Sequence, residues 1–184
     1  MKALDRYLQT WRLKKAAAHL RQEDKILDIG THDGALFRFV GTHGSIGIDP
    51  NLVETIPGTV AKFVRGYFPQ DIDQTERFDA IVILAVIEHL DSDTQKQLAS
   101  DCFRHLNEGG KVVVTTPSPM VDTILDILFF LRIIDGMGGT HDDHYGFDPA
   151  DTVPVFEGAG FTLDQATRFQ LGLNNLFVFR KPST

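Results

Sequence analysis

The stretch KILDIGTHDG, residues 25–34, decides the fold of this chain. Lys25 to Ile29 is a short apolar run without alternation, the pattern of a strand covered on both faces. It stops at Gly30 and runs through Thr31, His32, Asp33 and Gly34 into a segment, 34–40, that reads as helical. A strand, a glycine loop and a helix in that order place free backbone N–H groups at the carboxyl end of a strand, where a ligand can approach closely. About twenty residues beyond the first glycine, a second apolar run, SIGIDP (45–50), ends at Asp49. An acid at that spacing can hydrogen-bond the hydroxyls of a ribose. The pair of features therefore points to an adenosine-type ligand.

Outward from this core, Ala61–Gly66, Phe78–Ala85 and Lys111–Pro117 also read as strands, and 93–106 as a helix ended by Asn107–Gly110. Strands alternating with helices imply a parallel sheet. The end of the chain differs. Phe161–Gln170 and Leu176–Pro182 are separated only by LGLNN, which forces an antiparallel hairpin. The expectation is a doubly wound α/β fold: a mostly parallel seven-stranded sheet, helices on both faces and a C-terminal antiparallel hairpin. The 184 residues fit one domain, 1–184, with an N-terminal cap helix at about 1–22 and an inserted apolar helix at about 119–136.

Composition narrows the function classes. A formal net charge of -7 disfavours nonspecific nucleic-acid binding, which needs a cationic surface to release counterions. The one cysteine, Cys102, allows no internal disulfide and suits a reducing, cytoplasmic setting. The run ILDILFFLRII (124–134) is too short for a membrane span of roughly 20 residues, and it contains Asp126 and Arg132. A helix apolar almost all round needs cover, so 120–135 reads as a lid or dimer contact ahead of a membrane-surface element. Monomer and homodimer both remain open.

Two cofactor classes compete for the glycine loop. The dinucleotide fingerprint G-x-G-x-x-G is not met, because His32 stands at its second glycine. Asp28 would repel a pyrophosphate and attract a cation, with a Coulomb energy on the order of 4 kcal/mol at contact for an effective dielectric of about 20. That favours S-adenosylmethionine, which carries an ammonium and a sulfonium, over NAD.

At this point the chain resembles the class I S-adenosylmethionine-dependent methyltransferases. ILDIGTHDG is similar to their first motif and IGIDP to their second. FDAIVILAVIEHL resembles the fourth strand and the E-H-L triplet found after it in many small-molecule enzymes, here Glu88, His89 and Leu90. LNEGGKVVVTTPSP and HYGFDPADTVPVFEGAGF resemble later segments. The resemblance implies a Rossmann-like methyltransferase fold with S-adenosylmethionine as cofactor. Asp28 and Gly30 would line its methionine end, Thr31 would be a further cofactor contact, and Gly34 would open the first helix. Asp49 would hold the ribose. Gly66, Tyr67 and Phe68 would lie against the adenine, with Asp71 or a backbone carbonyl meeting its amino group, and Leu84 would sit beneath the methionine portion.

For acid–base work the candidates are His89 and His144. The cluster His141, Asp142, Asp143, His144 has metal-like spacing but reads as a polar loop near the substrate rim, so no metal is expected. No N-P-P-Y tetrapeptide marks base methylation, and the expected acceptor is a small, possibly amphipathic molecule. The competing readings are a nicotinamide-dependent Rossmann enzyme and a non-catalytic binding module on the same fold. The intact Asp28, Gly30, Gly34 and Asp49 disfavour the latter.

Overall fold

The computed structural model describes residues 3–53, 59–118 and 147–183. The inserted apolar helix expected at 119–136, the His141–His144 cluster and His144 itself lie outside the described residues. Helix α1 spans Ala3–Ala17. Seven strands follow: β1 (Ile26–Ile29), β2 (Ile46–Ile48), β3 (Lys62–Val64), β4 (Phe78–Leu84), β5 (Leu106–Pro117), β6 (Thr162–Phe169) and β7 (Asn174–Arg180). Helix α2 (Ser92–His105) connects β4 to β5, and α3 (Thr152–Gly158) precedes β6.

The strands form one sheet in the order β3-β2-β1-β4-β5-β7-β6. The pairs among β1 to β5 are parallel, and β7 is antiparallel to both β5 and β6. The chain winds from β1 outward to β3 and then returns to β4 on the other side of β1. Connections after β1 and β4 thus diverge and open a crevice at their carboxyl ends, the place where such sheets bind ligands.

Strand alternation divides the core into two layers. Ile26, Ala80, Val82, Val113 and Val178 face α1, meeting Leu13 and Ala16 together with Leu36 and Phe37. Leu27, Ile29, Ile81, Ile83, Val112, Val114, Phe177 and Phe179 face α2 and α3, meeting Leu98, Cys102 and Phe156. Asp28, two residues after Ile26, points to the α1 side. Helix α2 starts where the Asp91 carboxylate accepts from Asp93 N and Thr94 N, at 3.0 and 2.9 Å. These bonds satisfy N–H groups that the first turn leaves open.

Several elements differ from the sequence expectation. The helix expected at 34–40 is a single 3-10 turn, Ala35–Arg38. Phe37, Phe39 and Val40 are poor helix formers and Gly41 follows at once, so tertiary burial of Leu36 and Phe37 fixes one turn and no more. Asn107–Gly110 does not end a helix in a loop but runs as strand from the end of α2, giving β5 twelve residues. Gly109, at φ 70°, supplies the left-handed residue this stretch needs, and the β4–β5 register shifts between Phe78 and Ala80. Before β6, a 3-10 turn, Pro149–Asp151, leads into the short α3. Pro154 falls in the first turn of α3, where its missing N–H costs no hydrogen bond.

Candidate active site

The loop after β1 is held in an unusual backbone conformation. Gly30, His32 and Gly34 have φ values of 77°, 50° and 72°. A Cβ on Gly30 would stand 2.4 Å from Val86 Cγ2, so only glycine lets the loop lie against the turn after β4. His32 adopts a left-handed conformation that histidine tolerates better than most side chains. Its amide donates to Asp49 Oδ2 at 3.0 Å, and its carbonyl accepts from Val53 N at 3.1 Å. The loop after β1 is thereby pinned to the end of β2.

Asp49 is buried and does two things at once. Oδ2 takes the His32 amide, and Oδ1 accepts from Asn51 N at 2.7 Å. Each carboxylate oxygen has two lone-pair sites, so both retain one for a ligand hydroxyl. Asp28 is 4% exposed. Burial pushes its carboxyl up to about 7; the Thr31 hydroxyl beside it works the other way, and the Asp49 and Asp33 charges add to the rise. An acid in this condition gains most from a cation that shares its pocket.

On the far side of Asp49, Gly66 N donates to the Asp49 carbonyl at 3.3 Å. Tyr67 is exposed, and its amide donates to Asp71 Oδ2 at 2.8 Å. Asp71 therefore closes the Gly66–Tyr67 turn. Phe68 lies elsewhere: its ring sits edge-on to His105 at 5.1 Å between centroids and joins the core under α2. The structure thus separates Phe68 from its two neighbours in the sequence. Tyr67 stays exposed, and Gly66 stays bonded to the end of β2 through Asp49.

Beyond Leu84, which is half-buried on the α1 face, Ala85 takes φ 55° and a 3-10 turn, Ile87–His89, follows. The buried Gln95 amide ties this turn to α2 by donating to the carbonyls of Ile87 at 3.2 Å and Leu90 at 2.8 Å. Successive residues of so tight a turn point about 120° apart. Glu88 goes inward, 2% exposed, while His89 is at the surface. Burial raises the Glu88 carboxyl to about 7, with Arg12 opposing the rise. Glu88 Oε2 is buried and has no hydrogen-bond partner among the described residues.

Arg12 was not legible as a site residue. It sits on α1, where the Nη2 group donates to Asn174 Oδ1 at 3.4 Å and the buried Nε has no partner among the described residues. Desolvation holds the guanidinium below its ordinary pKa, and the Glu88 charge works against that. Gln170 Nε2 donates to the Leu8 carbonyl at 2.8 Å, so the turn between β6 and β7 clasps the same helix. The only signal for Arg12 in the sequence was the basic character of its helix. Among the described residues no group of His, Cys, Asp or Glu is arranged to hold a metal ion, and no helix is long and apolar enough to cross a membrane.

A seven-stranded sheet of this order, with a glycine loop and acids at the ends of β1 and β2, defines the Rossmann-like methyltransferase fold. The comparisons agree. A family model described as a methyltransferase domain matches residues 2–166. A Mycolicibacterium smegmatis protein named "Probable S-adenosylmethionine-dependent methyltransferase" is 41% identical over 88 residues, covering 45% of this chain and 33% of that one. The chain spans only a third of that relative's length. Among solved structures, a Burkholderia thailandensis 1,6-didemethyltoxoflavin-N1-methyltransferase with 1,6-didemethyltoxoflavin and S-adenosylhomocysteine bound is similar, with a TM-score of 0.66, 18% identity, and coverage of 97% of this chain and 82% of that one. Magnesium protoporphyrin IX methyltransferase from Synechocystis, with S-adenosylhomocysteine bound, gives a TM-score of 0.62 at 13% identity, over 96% and 82%. The chain belongs to the methyltransferase domain family. Within it, the chain is of the class I S-adenosylmethionine-dependent type.

Proposed function

We propose that this chain transfers the methyl group of S-adenosylmethionine to a small-molecule acceptor. The observation that carries the cofactor half is the set of buried, incompletely satisfied charges around the crevice. Asp28 is buried with its carboxyl raised to about 7, and Arg12 Nε has no partner among the described residues. A ligand that brings an ammonium and a carboxylate on one carbon suits an acid and a guanidinium together, whereas a pyrophosphate meets Asp28 as a like charge. In this reading Asp28 faces the ammonium and Asp49 takes the ribose hydroxyls. The Gly30–Gly34 backbone lies close to the ligand, and Tyr67 and the Gly66 backbone border the adenine.

Bound S-adenosylmethionine supplies a sulfonium that activates the methyl group for direct displacement. The protein then has three tasks: to hold the acceptor in line, to exclude water, and to accept a proton where the nucleophile carries one. In-line positioning can contribute up to about 7–11 kcal/mol. Glu88 is the base the geometry favours, because it is buried and its carboxyl titrates near neutrality. His89 is at the surface. Helix α1 covers the α1 face of the crevice and keeps solvent from it.

Calorimetric titration tests the cofactor half. S-adenosylhomocysteine is expected to bind in the micromolar range and NAD not at all. Binding of NAD alone would replace this reading with a nicotinamide-dependent one, and binding without turnover on any acceptor would favour a non-catalytic module.

The acidity of Asp28 adds a pH dependence with a definite sign. Between about 4, the ordinary carboxylate value, and about 7, the folded protein holds a proton that the unfolded chain has lost. The unliganded protein therefore loses stability as pH rises through that window. Cofactor binding runs the other way, since the ammonium needs the ionised acid. From pH 5.5 to 7, S-adenosylmethionine affinity is expected to rise, at most about tenfold per pH unit. Asp28→Asn is expected to flatten the profile and weaken binding at pH 7; a profile unchanged in that variant would remove Asp28 from the ligand.

A further inference from the structure

Away from the charges around Asp28, a second polar set lies on the other face of the sheet. Thr116 on β5 is opposed to Asn175 on β7, which is opposed in turn to Arg168 on β6. Directly opposed residues project to one face. Alternation from Val114 and Phe177 puts this rung on the side of α3. There, Asn175, Arg168, Phe177 and Ala166 line a cavity of about 390 Å³ with Ser118 and Asp148 on its walls. Asn175 is 7% exposed, and among the described residues neither its Nδ2 nor the buried Thr116 hydroxyl has a hydrogen-bond partner. Among the described residues Arg168 makes no ion pair.

We infer that this cavity is the subsite that recognises a carboxylate on the methyl acceptor. The inference rests on the methyl-transfer reading. A buried amide N–H without an acceptor asks for an oxygen, and the Arg168 guanidinium beside it forms the planar fork that matches a carboxylate. Asp148 sets the charge. Its Oδ1 is engaged by Ala150 N at 2.9 Å, capping the 3-10 turn, and its negative charge offsets part of Arg168. One cation against one anion favours a monoanion over a doubly charged phosphate. The buried Phe177 and the exposed Ala166 of the edge strand give the lining an apolar side suited to an aromatic or aliphatic stem.

Position ties the cavity to the chemistry. Pro117, Asn174 and Phe169 lie at the same sheet edge as the carboxyl ends of β1 and β4, because β7 runs antiparallel to β5 and β6 to β7. Asn175 stands two strands from β4, whose end carries the Glu88 turn, a lateral spacing of roughly 10 Å along the sheet.

The test uses the whole chain saturated with S-adenosylhomocysteine and ligand-observed NMR. The probes are 3-phenylpropionate, its primary amide and inorganic phosphate. The carboxylate is expected to bind at low millimolar concentration or better, at least tenfold more tightly than the amide or phosphate. Arg168→Gln is expected to remove that preference while S-adenosylhomocysteine affinity, read by calorimetry, stays within twofold. Equal binding of acid and amide, tighter binding of phosphate, no binding of any probe, or a preference that survives Arg168→Gln would overturn the inference. If wild-type protein fails to take S-adenosylhomocysteine at all, the methyl-transfer reading falls instead.

Discussion

Asp49→Ala is expected to weaken S-adenosylhomocysteine binding about 100-fold in calorimetry. Two effects add. The ribose hydroxyls lose charge-assisted hydrogen bonds of about 1.5–3 kcal/mol each, and about 1.4 kcal/mol is tenfold in affinity. The His32 amide also loses its acceptor at 3.0 Å, and with it the tie that holds a left-handed residue in the loop after β1. Asp49→Asn separates the two. Its side-chain oxygen can still take the His32 amide, so the loop is preserved, while one of the two acceptors for the ribose becomes a donor. It should fall between wild type and alanine. A folded Asp49→Ala protein that binds with unchanged affinity would falsify the ribose assignment.

Glu88→Gln is expected to lower kcat by about 100-fold or more if the acceptor nucleophile carries a proton, the usual contribution of a placed base being about 10²–10⁴. Glutamine keeps the size and the hydrogen-bonding reach but cannot take a proton. The wild-type rate should rise with pH to a plateau above about 7, following the carboxyl. That limb should vanish in the variant, while S-adenosylhomocysteine affinity changes little. The buried position also has a stability signature. The folded state holds the Glu88 proton up to about 7, so the neutral amide should stabilise the unliganded protein at pH 8. A rate that keeps its pH limb in Glu88→Gln would return the base role to another group.

Much of the fold was legible because buried parallel strands advertise themselves. Ile26–Ile29 and most of Phe78–Leu84 are buried on both faces, as their largely apolar runs between turn residues anticipate. The positions of Asp28, Gly30 and Asp49 were legible for a related reason: each lies at a strand end, where local sequence fixes position, and Gly34 opens the 3-10 turn that follows. What stayed hidden depended on packing across the chain. The 34–40 segment carries helical spacing, yet its aromatic and β-branched residues give it no independent helical stability, and it closes as one 3-10 turn. Glu88 and His89 are neighbours that a tight turn sends to opposite environments, and spacing alone does not say which goes in. Phe68 sits in the motif beside Gly66 but is drawn to His105 by the core. Arg12 lies 76 positions before Glu88 in the numbering, so its charge reaches Glu88 only through the docking of α1.

The clasp between α1 and the turn after β6 also sets an order of events. Leu8 meets Gln170 and Arg12 meets Asn174, each contact joining residues 162 positions apart. At a synthesis rate of about 5–20 residues per second, α1 waits roughly ten to thirty seconds for its partners to emerge. The sheet from β1 to β5 can pair during that interval, but Arg12 has no seat until β7 inserts between β5 and β6. The Arg12 side of the crevice therefore matures last, and a nascent chain stalled before β7 would carry the glycine loop without a seated Arg12.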